Sequence, residues 1–331
     1  MEIQLCLPLG EWGSSSSSKS TFNLEKAVCN HGFFMMAPNQ WIPSAKTLQR
    51  PLRLADSTTS VLVSISHPKK HPSDLLHIHV LGTNFLSPQD QQVLLAQVAR
   101  MLRISEKDEN KILKFHEIHS RAKKKGFGRL FRSPSLFEDM VKSILLCNCN
   151  WKRSLDMAKA LCDLQLQLSG GSVDEESICS SKKMRTGRRG LKRKNRMMVS
   201  YDPSPPSFFE ERIRAYGNFP TSKDLANLDV ELLEKHCNLG YRASYILQLA
   251  KQIETGGIKL LEKQDEEDED KDYYDNLYKK LKRLNGFGSF VCDNMLMCLG
   301  LYERIPTDTE TLRHLGKVKF INAVPWKQRL H

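Results

Sequence analysis

The sequence predicts an α+β chain, mainly α, in which a small N-terminal antiparallel β-sheet domain is followed by a larger all-α domain. Three observations predict it. Between Phe22 and Gly82, β-forming residues alternate or cluster between Pro-, Ser- and Asp-rich turns, as in Ser60-Val-Leu-Val-Ser-Ile65 and Leu75-Leu-His-Ile-His-Val-Leu81, which is strand patterning. From Ser87 the apolar period becomes helical, with Val93, Leu94, Val98, Met101 and Leu102 on one face. A length of 331 residues can hold two modest domains or one large one with insertions, with ample core for either.

Taken in order, residues 1–20, with the run Ser14 to Ser18, read as a flexible leader that buries nothing. The sheet domain is assigned to 21–86 and the helical domain to 87–316. Ser87-Pro-Gln-Asp opens the first long helix, and a second covers Glu109 to Ala122. The basic segment Lys123-Lys-Lys-Gly-Phe-Gly128 either touches phosphate or is a solvated loop. Ser133-Pro-Ser-Leu-Phe-Glu138 starts a strongly apolar helix that ends in Cys147-Asn-Cys-Asn150, and another helix runs from Trp151 to about Leu168. Residues 169–206 contain too few apolar side chains to pack, so they read as a disordered basic insertion. Lys182 to Arg196 within it reads as a nuclear import signal or as a non-specific DNA tether, and import is favoured. Order is expected again from Phe208. Pro220 sets a turn before a helix capped by Thr221 or Ser222, a further helix follows Leu239-Gly-Tyr-Arg242, and Gln264 to Asp272 is a solvated acidic loop before a helix from Tyr273 to Leu284. The tail is 317–331.

A formal net charge of +12 favours a polyanionic partner, although the sign alone does not separate DNA from RNA or an acidic protein surface. No apolar run reaches the length of a membrane span, and the first residues lack a basic stretch ahead of their short apolar part. A soluble intracellular protein with no membrane partner is the expectation. The nine cysteines are odd in number, scattered and without a Cys-x-x-Cys pair, which suits reduced thiols. His77 and His79 would share one strand face. Without a cysteine or carboxylate at ligand spacing, a half-exposed strand is preferred to a zinc site, and no cofactor is expected.

The chemistry concentrates near the C-terminus, in Leu281-Lys-Arg-Leu-Asn-Gly-Phe-Gly-Ser-Phe290, the apolar run to Gly300 and Ile305-Pro-Thr-Asp308. Gly286 and Gly288 lie between two helical patterns. They let the backbone turn tightly and leave no Cβ before the free N–H groups of the next helix. Such a turn, Gly286-Phe287-Gly288-Ser289, can hold a DNA phosphate. After one helix the chain leaves through Pro306, and Asp308 stands where another helix begins. By itself Asp308 reads as a first-turn or capping residue, because Thr307 and Glu310 have capping-box spacing.

The combination of helix, Gly-x-Gly, helix and Pro-x-Asp at this spacing resembles the helix-hairpin-helix DNA glycosylase superfamily. That resemblance implies a hairpin that grips the strand and a catalytic Asp308. The stretch Ser143 to Cys162 and the stretch Leu239 to Ile246 are similar to 8-oxoguanine DNA glycosylases. On that likeness Asn148 fills the space a flipped base vacates, Arg153 and Arg242 bond the widowed cytosine, and Tyr241 wedges into the duplex. Phe22-Asn-Leu-Glu25 with Gly32 and Phe33 resembles the start of the same family's sheet domain.

Bifunctional members have a Lys two residues after the second hairpin glycine, where this chain has Phe290, and Asn294 replaces a pocket Cys. The resemblance therefore implies a monofunctional enzyme, similar here to bacterial 3-methyladenine DNA glycosylase, acting by water on an alkylated or oxidised purine. Some members bind an iron–sulfur cluster through cysteines beyond the Asp, but no cysteine follows Cys298. The implied partner is double-stranded DNA with a damaged base, bound by a monomer in the nucleus. The short segment after Asp308 suggests a truncated product, and the alternative is a catalytically inactive DNA-binding protein on the same scaffold.

Overall fold

The computed structural model describes residues 3–9, 22–68, 74–170, 217–258 and 271–317. The serine run 14–18, the basic insertion from 171 onward, the stretch 208–216, the acidic run 264–270 and the tail from 318 lie outside the described residues.

Five strands, β1 (Ile3–Pro8), β2 (Gln40–Ile42), β3 (Thr47–Arg53), β4 (Ser60–Ser66) and β5 (Leu75–Leu81), form one antiparallel sheet in the order β1-β5-β4-β3-β2. Alternation decides its faces: Val61, Val63 and Ile65 of β4 and Leu76, Ile78 and Val80 of β5 are buried, while the residues between them are half-buried. His77 and His79 share the other face with ring centroids 6.0 Å apart. Among the described residues no group of three or more possible ligands could hold a metal ion.

One expectation for the N-terminal region is corrected. Residues 3–8 are not part of a flexible leader. Ile3, Leu5 and Leu7 alternate, and the segment pairs with β5 from Leu75 to Val80 with Leu5 opposite Ile78, burying Leu5 and Leu9. An alternating segment of six residues finds a ready ladder on an open sheet edge. Phe22-Asn-Leu-Glu25 opens a helix rather than a strand. Asn23 Oδ1 accepts from Lys26 N and caps the short helix α1 (Leu24–Val28), whose Leu24, Ala27 and Val28 are buried.

The helical domain comprises α2 (Pro88–Leu102), α3 (Glu106–Ile118), α4 (Ser120–Lys125), α5 (Leu136–Leu145), α6 (Trp151–Ser169), α7 (Ser222–Ala226), α8 (Val230–Cys237), α9 (Arg242–Glu254), α10 (Lys271–Leu281), α11 (Ser289–Leu299) and α12 (Thr309–Lys317). None of the described helices is long and apolar enough to cross a membrane. Helix α2 starts on a Ser87–Asp90 capping box and α7 on a Thr221–Asp224 box. The expected helix over 109–122 is two helices broken at His119, and the basic residues Lys123 to Lys125 form the last turn of α4.

Sheet and helices are joined by buried charge. Arg50 of β3 donates through both terminal nitrogens to Glu138 of α5, at 3.2 and 2.9 Å, and through Nη1 to Asn39 at 2.9 Å. Lys142, one turn along α5, lies 2.7 Å from the same carboxylate. Burial pushes the Glu138 carboxyl up most strongly, yet Arg50 and Lys142 together outweigh it and hold it at about 2. A carboxylate whose folded value lies below its usual 4.5 stabilises the fold above that value, and the contribution disappears as pH falls toward 2. Denaturant midpoints should therefore hold steady from neutrality to about pH 5 and drop between about pH 4.5 and 2. Glu138→Gln, which strands two buried cations, is expected to cost about 3–5 kcal/mol at neutral pH and to flatten that acid slope, read by urea denaturation across pH.

Candidate functional site

The Gly-Phe-Gly hairpin joins α10 to α11. Gly286 adopts φ +84°, and a Cβ placed on it would stand 2.7 Å from Tyr245 Cδ2 and 2.8 Å from Cγ, so both its conformation and its surroundings demand glycine. Phe287 is buried and its N–H bonds the Leu284 carbonyl at 3.1 Å. Its side chain thus anchors the turn in the core and leaves its backbone as the part that can meet a ligand. A Cβ on Gly288 would meet nothing within 4 Å. Ser289 is exposed.

No side chain caps α11, whose first backbone bond runs from Cys292 N to Gly288 O at 3.0 Å. The N–H groups of Ser289, Phe290 and Val291 therefore lack intrahelical acceptors at the positive end of the helix dipole. Exposed Lys279, Lys280, Lys282 and Arg283 precede the turn. The arrangement can hold an anion.

The other end of α11 is neutralised. Arg103, buried at φ +54°, donates to the carbonyls of Met297 and Cys298 at 2.7 and 2.8 Å. Arg132 reaches Cys298 O at 3.0 Å and Lys111 reaches Gly300 O at 2.9 Å. Asp108 balances Arg103 at 3.2 Å. Burial would raise that carboxyl, but Arg103 and Arg132 hold it below the usual range. From this fixed end the chain passes Pro306 to Asp308.

Asp308 is half-buried, and its Oδ1 accepts from Thr311 N at 2.6 Å. It is itself the cap of α12, the capping alternative of the sequence reading, while Thr307 is exposed. Among the described residues no hydrogen bond or ion pair joins Asp308 to the hairpin.

The residues expected to read the base are brought together from distant segments. Asn148, at φ +46°, donates from Nδ2 to Tyr241 Oη at 3.4 Å. Arg153 Nη2 reaches Asn238 O at 3.4 Å, so both side chains lean on the turn before α9. Arg242 departs from expectation. It is buried, donates to the carbonyls of Cys147 and Leu239, and lies 4.6 Å from the Tyr241 ring centre. Free carbonyls at the two turns draw the guanidinium inward, where it ties the turns together and leaves Arg153 as the more exposed of the two.

Three features escaped the sequence reading. Tyr245 and Gln248 lie one and two turns beyond Tyr241 on one face of α9. Tyr245 stacks edge-to-face on Tyr241 with centroids 5.8 Å apart and covers Gly286, while Gln248 accepts from Asn285 Nδ2. This face links the Asn148 turn to the hairpin, and the i, i+4, i+7 spacing was the available signal. The second is Trp151, which lies against Gly32. The third is Asp293, an acid within the apolar run of α11. Its Oδ1 is buried without a hydrogen-bond partner, and burial raises its carboxyl to about 6 against the pull of Arg304 and Lys282. Arg304 lies 4.4 Å over the Tyr278 ring and so pins the segment that leads to Asp308 against α10.

No family model matches the sequence, and no curated protein matches it. Solved structures do. A 3-methyladenine DNA glycosylase from Archaeoglobus fulgidus superposes with a TM-score of 0.59 at 17% identity, covering 98% of this chain and 90% of that one. A Clostridium acetobutylicum 8-oxoguanine glycosylase/lyase, in complex with double-stranded DNA containing cytosine opposite 8-oxoguanine, gives 0.52 at 15% identity over 94% and 84%. MBOgg1 with a low-affinity DNA ligand gives 0.54 at 17% identity over 96% and 89%. The fold is thus that of DNA glycosylases, as the hairpin motif implied. A strand sheet followed by a mainly helical body is common to them and to this chain.

Two stability experiments probe this geometry. Gly286→Ala should lower stability by about 1–3 kcal/mol, through the left-handed backbone and the Tyr245 clash, while Gly288→Ala should leave the thermal midpoint within a degree or two. For Asp293 the folded value lies above the usual 3.8, so ionisation penalises the folded state, fully so only above about pH 6. Asp293→Asn should therefore stabilise the protein by about 1–2 kcal/mol at pH 7.5 and have no such effect below pH 4, by thermal denaturation.

Proposed function

We propose that this chain is a monofunctional DNA glycosylase of base excision repair. It flips a damaged purine, alkylated or else oxidised, out of the duplex and hydrolyses its glycosidic bond to leave an abasic site. The observation that carries the reading is the contact of Asn148 with Tyr241 across 93 residues of sequence, at the end of a helix face that also cradles the hairpin. An amide and a phenol at one surface point can fill the hole a flipped base leaves, and Arg153 beside them can donate to the partner base.

The chemistry follows from charge. Breaking the bond between base and sugar leaves positive charge on the deoxyribose, which a nearby carboxylate stabilises while orienting or deprotonating water. Asp308 is that carboxylate. One oxygen caps α12 and fixes the group's direction, and the second oxygen remains for the sugar or water. The uncapped start of α11, with the N–H groups after Gly288, holds a backbone phosphate nearby. Phe290 carries no amine, so no Schiff base forms and the strand is left intact. Phe290 is packed against the core, and Asn294 is buried with its Nδ2 on the Phe290 carbonyl at 2.9 Å. An apolar ring and an amide at these two positions suit an alkylated purine opposite cytosine or thymine first. Nuclear localisation through residues 182–196 belongs to the same reading.

A non-catalytic DNA-binding protein is the second reading, favoured by the commitment of Asp308 to its cap. Asp308→Asn separates the two, because asparagine caps as well as aspartate but carries no charge. Single-turnover release of free base from duplexes with defined lesions should fall at least about a hundredfold in the variant with no change in melting temperature. Equal release would end the enzymatic reading and leave DNA binding standing. Products should break only on heating or alkali, and spontaneous strand breaks would contradict the role given to Phe290. Gly288→Val should weaken salt-dependent duplex binding about tenfold while the fold survives.

A further inference from the structure

The turn that presents Asn148 also starts α6 with a tryptophan, and the two side chains reach different parts of the molecule. Asn148 and Arg153 reach the 238–241 turn of the helical domain. Trp151, between them in sequence, lies against the sheet domain. Its six-membered ring covers Gly32 so closely that a Cβ there would stand 2.9 Å from Cη2, 3.4 Å from Cζ3 and 3.6 Å from Cζ2. Gly32 is not among the positive-φ glycines, so its backbone conformation does not call for glycine, but the approach of the ring does. Even so, Trp151 is 39% exposed.

An indole whose outer rim is held against a glycine and which is still 39% exposed offers part of its ring for stacking. Such surfaces accept any base, because every base has a π-face, and they give no reading of its edge. The donors suited to reading edges, Asn148 and Arg153, reach the 238–241 turn instead. A base displaced by Asn148 and Tyr241 cannot occupy their place and must be received elsewhere.

We infer that Trp151, backed by Gly32, is the platform on which the extruded base stacks as it leaves the duplex, while its widowed partner stays with Asn148 and Arg153. This rests on the base-flipping reading above, and it makes Trp151 a binding residue for the displaced purine rather than part of the reacting group.

The test uses the full chain with Trp12, Trp41 and Trp326 changed to Phe, so that emission reports Trp151 alone. It is titrated with three duplexes that are identical except at one position, which holds a mismatched purine, a paired purine or an abasic residue. The inference expects strong quenching by the mismatched purine and little by the other two. In the otherwise unaltered protein, Trp151→Ala should reduce the preference for the mismatched over the paired duplex about tenfold. Trp151→Phe should keep most of that preference, and Gly32→Ala, which pushes the ring away, should reduce it. Equal quenching by the abasic duplex would place the ring on the backbone or the widowed base and overturn the inference, as would an unaltered preference in Trp151→Ala. These readouts need no bond cleavage, so a protein that releases no base but shows the quenching would sink the glycosylase reading and leave the platform standing.

Discussion

The two ends of α11 are treated oppositely, and the arrangement of the candidate site depends on that asymmetry. At its C-terminus Arg103, Arg132 and Lys111 converge on the last carbonyls, so the negative end of the dipole is met by buried and half-buried cations. At its N-terminus nothing is offered, neither a capping side chain nor a Cβ at Gly288. With the far end fixed, the near end remains an uncapped electropositive point. The same cations come from the end of α2, from α3 and from the segment before α5, so the helix that presents the hairpin is held by the middle of the chain. Arg103 occupies left-handed backbone at the end of α2, a costly conformation for arginine, and its three carbonyl bonds and the Asp108 pair are the compensation.

The Gly-x-Gly motif divides into two unlike halves. Gly286 is a structural glycine, required by its φ and by the ring of Tyr245. Gly288 meets no packing demand, and its lack of a side chain only keeps space clear before free N–H groups. Phe287 between them fixes the turn by burying its ring. A motif that looks like one signal in sequence is therefore a turn, an anchor and an opening in succession. That is why Gly-x-Gly alone is weak evidence and gains meaning only when the following helix is uncapped.

Much of the fold was legible because the periods are clean. The alternation in 60–66 and 75–81 and the helical face from Val93 to Leu102 translate directly into β4, β5 and α2. Residues 3–8 were misread since the neighbouring serine run lowered the apolar density around a real alternation, and pairing with β5 is a long-range fact that a local window cannot hold. Asn148 and Tyr241 were legible only through a resemblance, because nothing local ties a turn at 148 to a helix start at 241. Arg242 shows the limit of that route. The residue type matches, but the carbonyls that capture its guanidinium belong to other turns and are invisible in the sequence.

Asp293 and Asp308 show how position separates two carboxylates that are 15 residues apart in sequence. Asp293 points into a helix interface with an oxygen left without a partner, and burial drives it toward its neutral form. Asp308 spends one oxygen on a backbone N–H at the start of α12, where the helix end favours negative charge. Arg304 connects them mechanically, stacked on Tyr278 four residues before Asp308 and lowering the Asp293 carboxyl against its burial. Arg304 thus acts on both sides: it partly offsets the burial of Asp293 and, through the Tyr278 ring, pins the segment that leads to Asp308.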